Sequence, residues 1–360
     1  MNDKKIFITR PISPSKLRLV YYFMDILHSR IYTNDGKYLK KLEADLVHRW
    51  KVDHVVVMTN GTLPIVCLLA MLGRDKKILT TPFTFIATTN AIIASGNVPV
   101  FADINADTLL PAPDAIEESL NNNDISAVLL TQVFGLVPEY ELIQEICARR
   151  NIPVFFDSSH SFGVKVGTGS AYGIGDATTA SFHSTKNFST IEGGAIATNN
   201  PEIHEYAKSW RNFGFVDGEI VRQGVNAKMH EFSAAFGLAV LPRMRKEMRR
   251  RAKLFHKLQA VLAKFPVKII VSPNASYFPV IFSSEKSMLR VKTNLERMDI
   301  FPRRYFYPSI DELAMQLGFD EQPCPVSRSV AKSILCLPLG SNVSSRTIDA
   351  IERAFSQNEW

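Results

Sequence analysis

Along the first two hundred positions, short β-branched or apolar runs alternate with stretches whose apolar residues recur at helical spacing. Leu39, Leu42, Leu46 and Trp50 follow one another at intervals of three, four and four. That spacing predicts a helix after the turn-rich Tyr32-Thr-Asn-Asp-Gly36, with Asn34 or Asp35 as its cap. Strands are predicted at residues 55–57, 78–80, 98–101, 127–132, 154–156, 177–182 and 195–198, and an amphipathic helix at 139–150. Regular exchange of strand and helix predicts an α/β fold with a mainly parallel sheet flanked by helices.

Farther on, Met244, Met248, Phe255, Leu258 and Leu262 define one face of a basic helix, so its arginines are expected mostly on the opposite, solvated face. Nucleic-acid binding would need this basic stripe joined to a reader motif, and none is present. Strands at 267–271 and 277–282 and a last helix at 345–355 complete the chain. The expected division is a large domain over 1–242 and a smaller carboxyl-terminal domain over 243–360.

Candidate chemistry concentrates where strands end. Lys186 lies between two predicted strands among Ser, Thr, Phe and Gly, where loss of water lowers its pKa and frees the amine as a nucleophile, the requirement of Schiff-base chemistry. Asp157 closes the apolar run 152–156, and ligands of open α/β sheets bind at the carboxyl ends of strands. Opposite unit charges about 4 Å apart attract by roughly 4 kcal/mol at an effective dielectric of 20. That is about three pKa units, enough to keep a pyridinium ring protonated. A lysine Schiff base with an acid on the ring nitrogen is the pyridoxal phosphate device. Upstream, Gly61 and Thr62 precede Pro64 in the first turn of an apolar helix, a potential phosphate cradle that lacks the lysine of a P-loop and the G-x-G-x-x-G of a dinucleotide fold.

Several motifs together carry a resemblance. Asp157-Ser-Ser-His160, Ser181-Phe-His-Ser-Thr-Lys186-Asn187, Glu192-Gly193-Gly194, Arg211-Asn212-Phe213-Gly214 and the G-x-N-x-x-M-x-E stretch from Gly224 to Glu231 resemble the DegT/DnrJ/EryC1/StrS sugar aminotransferases. This resemblance spans nearly the whole chain. It implies a type I aminotransferase fold with a seven-stranded sheet and a smaller α+β domain. It also implies pyridoxal 5'-phosphate held by Lys186, with Asp157 on the ring nitrogen, Phe85 stacked on the ring, His160 at its phenolic oxygen, and Gly61, Thr62 and Ser181 on the phosphate. Asn226 would reach the phosphate of a neighbouring subunit, giving a homodimer with shared active sites. Thr33, Asn34, His183 and Tyr305 become substrate-contact candidates, and Arg303-Arg304-Tyr-Phe-Tyr307 suits a nucleotide diphosphate and base.

The implied reaction moves an amino group from L-glutamate to a keto carbon of a nucleotide-linked 6-deoxyhexose, with dTDP-4-keto-6-deoxy-D-glucose as the expected acceptor. A 3-ketosugar aminotransferase and a cofactor-retaining regulatory protein are the alternatives. Composition alters little. The 360 residues are 46% apolar and 21% charged with net charge +7, which suits an anionic ligand. No run is apolar for a membrane span, and the amino terminus lacks the apolar core of a signal peptide. Cys67, Cys147, Cys324 and Cys336 lack metal-ligand spacing and read as reduced thiols of a cytoplasmic protein, with no metal expected.

Overall fold

The computed structural model describes residues 5–358 and 360. Its centre is a seven-stranded sheet in the order His54–Met58, Gly194–Thr198, Ala177–Ser181, Val154–Asp157, Ile125–Thr131, Lys77–Thr80 and Val98–Phe101. Gly194–Thr198 pairs antiparallel with both neighbours, whereas the pairs from Ala177–Ser181 to Val98–Phe101 are all parallel. Val55 to Met58, Val154 to Asp157 and Ala195 to Thr198 are buried throughout, as expected of strands covered on both faces. One consequence organises the rest: the segments after Met58, Thr80, Asp157 and Ser181 all emerge at one edge of the sheet.

The predicted helix is Lys37–Trp50, and its buried face is Tyr38, Leu39, Leu42, Leu46 and Trp50. Its cap is neither Asn34 nor Asp35. Gly36 occupies the N-cap without a side-chain bond, and the first-turn amides of Tyr38 and Leu39 donate to the Glu231 carboxylate at 2.7 and 2.9 Å. Asn34 and Asp35 instead adopt positive φ in the turn before it.

Glu231 begins the longest helix, Glu231–Leu262, which carries Pro242 on its exposed side. His230 caps it, accepting from the Ser233 amide at 3.2 Å. The helix begins in the core that packs Lys37–Trp50 and ends in a second core with Leu254, Phe255, Leu258 and Leu262. Arg243, Arg245 and Arg249 are exposed as expected, and Arg251 is the exception, being 1% exposed. It falls three residues after Met248 and four before Phe255, squarely within the apolar stripe.

The carboxyl-terminal part is α+β. A three-stranded antiparallel sheet of Lys268–Ile269, Phe278–Ile281 and Ile334–Leu337 is covered by Glu285–Glu296 and Ser345–Ser356. Its third strand escapes the sequence pattern because every residue in it is buried and no alternation shows. Ile6–Phe7 pairs in parallel with Ile300–Phe301, which attaches the amino-terminal segment to this part. The glycines at 167, 169, 173 and 175 surround a hairpin in which Lys165–Val166 pairs with Gly169–Ser170.

Candidate active site

Asp157 and Lys186 meet at the emerging edge of the sheet. Asp157 is the last residue of its strand, opposite Thr179, and is 5% exposed. Its Oδ2 accepts from the Thr88 hydroxyl at 2.9 Å, and Oδ1 accepts from the Ser159 hydroxyl at 2.6 Å and amide at 3.1 Å. Thr88 is held in turn by Thr84, whose hydroxyl lies 3.0 Å from Thr88 Oγ1 and 2.7 Å from Thr131 Oγ1. Three donors thus converge on one carboxylate and fix its orientation. Sequence reasoning missed Thr88, whose only signal is its place one turn into a helix beside a strand end.

Lys186 keeps part of its accessible surface, but its amine is stripped of water, which pushes its pKa down to about 8. The Asp157 carboxylate opposes that shift and Arg303 adds to it, so both charges act on this amine. A narrow crevice beside it is lined by Ser159, His160, Thr185, Asn187, Ser276 and Tyr277. A groove of about 680 Å³ along Glu285–Glu296 lies apart from this chemistry.

His160 is buried beside Phe134 and Phe306, nearly parallel to both with interplanar angles of 16° and 11°. Burial and the nearby lysine push its pKa well below the ordinary histidine value, so the ring is neutral. Its Nδ1 accepts from the Phe134 amide at 3.1 Å, which places the remaining proton on Nε2 as a donor.

Gly61 and Ser181 come together across the sheet. A Cβ on Gly61 would lie 2.7 Å from Ser181 Cβ and 2.8 Å from its Oγ, so this contact requires glycine. Thr62 follows as the first residue of Thr62–Ala70. The amides of Thr62 and Leu63 are not open, because both donate to Asn60 Oδ1 at 3.0 Å. An anion there would take the place of the Asn60 side chain. Phe85 sits at the N-cap of Ile86–Ala94, next to the Thr84–Thr88 network, with 46% of its surface exposed. That is the arrangement of an aromatic plate with nothing yet against it.

The remaining candidates separate. His183 turns away, with Nδ1 2.8 Å from Thr185 Oγ1 and Nε2 3.4 Å from Glu192. Tyr305 is 8% exposed, packed on Tyr277 and Phe306 beneath the Arg303 guanidinium. Thr33, Asn34 and Asn226 are exposed. Asn226 forms a β-bridge with Asn212, while Arg211, 2% exposed, ties Asp35, Glu43 and the Val57 carbonyl together at 2.9, 2.6 and 2.9 Å. Arg211, singled out only as part of a motif, thus fixes the turn that bears Thr33 and Asn34.

These residues fit pyridoxal phosphate. A carboxylate anchored by three donors, a desolvated amine, a neutral histidine with an N–H to donate and an exposed aromatic share one edge, and a side-chain-free approach to Ser181 stands at Gly61.

The model of the DegT/DnrJ/EryC1/StrS aminotransferase family matches residues 17–356. The dTDP-4-amino-4,6-dideoxy-D-glucose transaminase of Shigella dysenteriae is 34% identical over 361 residues, which is 97% of this chain and 98% of that protein. The enzyme of the same name from Escherichia coli is 30% identical over 368 residues, 98% of each. Among solved structures, that of DesI in the presence of its TDP-sugar product matches with a TM-score of 0.91 at 26% identity, covering 98% of this chain and 94% of that one.

Proposed function

We infer the substrate from kinship and from the site together: the chain belongs to the DegT/DnrJ/EryC1/StrS aminotransferase family and is a pyridoxal-phosphate-dependent sugar aminotransferase. The proposed reaction carries the amino group of L-glutamate to C4 of dTDP-4-keto-6-deoxy-D-glucose, giving dTDP-4-amino-4,6-dideoxy-D-glucose. Near-complete coverage of a relative named for that product supports the sugar. The observation that carries the chemistry is Lys186, whose amine is held near pKa 8 within the field of Asp157.

Bound pyridoxal phosphate supplies an electron sink for the pair left when a bond at the donor's α-carbon breaks. The chain's own residues do the rest. Lys186 Nζ would hold the cofactor and, once freed by the donor amine, would move the proton off the donor's α-carbon. An amine near pKa 8 is poised for that task at neutral pH, because it both accepts and returns a proton readily. Asp157, held by Thr88 and Ser159, would face the ring nitrogen. His160 would donate from Nε2 toward the ring oxygen, Phe85 would cover one ring face, and Gly61, Thr62 and Ser181 would receive the phosphate.

The proposed working unit is a homodimer in which Asn226 completes the partner's site. Its support is an exposed apolar face, Leu17, Val20, Tyr21, Met24 and Leu27 on Lys16–Ser29, together with Phe213, Phe215 and Val225 near Asn226. The four buried thiols, all unpaired, fit a cytoplasmic enzyme.

The deciding experiment supplies the pyridoxal-phosphate-loaded protein with L-glutamate and a panel of 3-keto and 4-keto nucleotide sugars, and identifies products by mass and NMR. A 4-amino product from the dTDP-4-keto sugar is expected. Amination only at C3, or only of another nucleotide's sugar, would overturn the substrate assignment.

A further inference from the structure

We propose that Arg303, and not its neighbour Arg304, is the residue that holds a paired-oxygen anion of a substrate, carboxylate or phosphate, at the mouth of the site. This deepens the aminotransferase reading above and rests on it.

The two arginines are adjacent in sequence but their commitments differ. Arg304 is spent on the protein. Its Nη2 donates to Glu285 Oε1 at 2.5 Å and to the Lys332 carbonyl at 3.2 Å, and its guanidinium lies 3.4 Å from the centre of the Tyr307 ring. Arg303 is exposed and forms no ion pair and no side-chain hydrogen bond among the described residues. Its backbone is nonetheless pinned, with reciprocal bonds to Cys336 of 3.1 and 2.8 Å. The guanidinium rests 4.6 Å from the centre of Tyr305, a buried ring that packs in turn on Tyr277 and Phe306. A fork stacked on a fixed aromatic surrenders less freedom on binding than a loose side chain, and its planar donors match two oxygens of one anion.

Place and charge point the same way. The Arg303 guanidinium covers Tyr305, whose ring meets Tyr277 edge-on at 5.5 Å, and Tyr277 lines the crevice that holds Lys186. Its charge acts on that amine as well. Asp157, the acid acting on the same amine, is already engaged by Thr88 and Ser159. Arg303 is therefore left without a counter-charge among the described residues on this side of the crevice. Each substrate of the proposed reaction brings one: the amino donor a carboxylate, the nucleotide sugar a diphosphate.

The test compares full-length, cofactor-loaded wild type with Arg303→Gln and Arg303→Lys. Initial rates are measured with L-glutamate and dTDP-4-keto-6-deoxy-D-glucose varied separately, and calorimetry measures binding of L-glutamate and of dTDP to each protein. Loss of a charge-assisted pair predicts a weakening of about 10- to 100-fold for one ligand in Arg303→Gln, with kcat changing far less and Arg303→Lys recovering part of the loss. Weakening confined to L-glutamate identifies the carboxylate as the bound anion; weakening confined to the nucleotide arm identifies the phosphates. If both ligands bind Arg303→Gln within about twofold of wild type, well under the one charged hydrogen bond at stake, the proposal is overturned. A wild type that binds dTDP but aminates a different sugar sinks the substrate assignment alone, and the binding arms still judge Arg303.

Discussion

Arg251 Nη1 donates to Asn187 Oδ1 at 2.5 Å, from a helix that ends in the carboxyl-terminal core to the residue that follows the reactive lysine. The bond belongs to a chain of polar contacts. Asn187 Nδ2 donates to Ser276 Oγ at 2.6 Å, and Asn274 Nδ2 donates to the His160 and Phe162 carbonyls at 2.8 and 3.0 Å. The segments bearing Lys186 and His160 are thereby tied to the same stretch, residues 274–276. Glu247 accepts from Arg251 Nε at 3.2 Å, which leaves the buried cation paired on one side and hydrogen-bonded on the other.

Arg251→Met should therefore be costly although methionine suits the apolar stripe around it. It leaves Asn187 Oδ1 without a donor and Glu247 with Arg250 as its remaining cation, and an unmade buried hydrogen bond costs about 1–3 kcal/mol. Denaturant titration of the full chain should show the midpoint falling accordingly. An unchanged midpoint would mean that the contact contributes nothing to stability.

The desolvated amine of Lys186 predicts a pH signature in the cofactor-free protein. With its pKa at about 8 and ordinary lysines near 10.4, the neutral fraction of Lys186 rises through pH 8, two units before the rest. Reductive methylation followed by peptide mass spectrometry should label Lys186 with a midpoint near pH 8. Asp157→Asn removes the charge that opposes the shift, so its midpoint should move lower still. A midpoint above pH 10 in the wild type would contradict the burial of this amine.

Glu231 and Gly36 form a matched pair that can be tested from either side. Glu231→Ala removes the acceptor of two first-turn amides and should cost roughly 2–3 kcal/mol of stability, the scale of a lost charged cap. Gly36→Ala should also destabilise, because its Cβ would lie 2.5 Å from Glu231 Cδ. Because both changes disturb one contact, the double variant should lose less than the sum of the two single losses. Strict additivity, read from thermal unfolding, would separate them.

Sharing of sites between subunits can be read from mixed dimers. Lys186→Ala should abolish turnover and Asn226→Ala should weaken it. If Asn226 serves the partner's site, a hybrid of these two chains has one site with both defects and one with neither. Activity after mixing and exchange should then exceed the mean of the parents. If Asn226 serves its own subunit, each hybrid site has one defect and no gain appears.

Much of this molecule was readable from local pattern. The strand ends carrying Asp157 and Ser181, the stripe of Leu39, Leu42, Leu46 and Trp50, and the motif around Lys186 are local, because period and composition reflect which face of a segment meets the core. Other features depend on partners far away in the chain. Glu231 caps a helix that begins at Lys37, Thr88 bonds Asp157, and Arg251 holds Asn187, contacts that span 193, 69 and 64 positions. The same distance rule sorts Arg303 from Arg304, which look alike in sequence until Glu285 and the Lys332 carbonyl claim one of them. A side chain's intrinsic chemistry travels with its letter, whereas its charge state and commitments are set by the neighbours that folding brings to it.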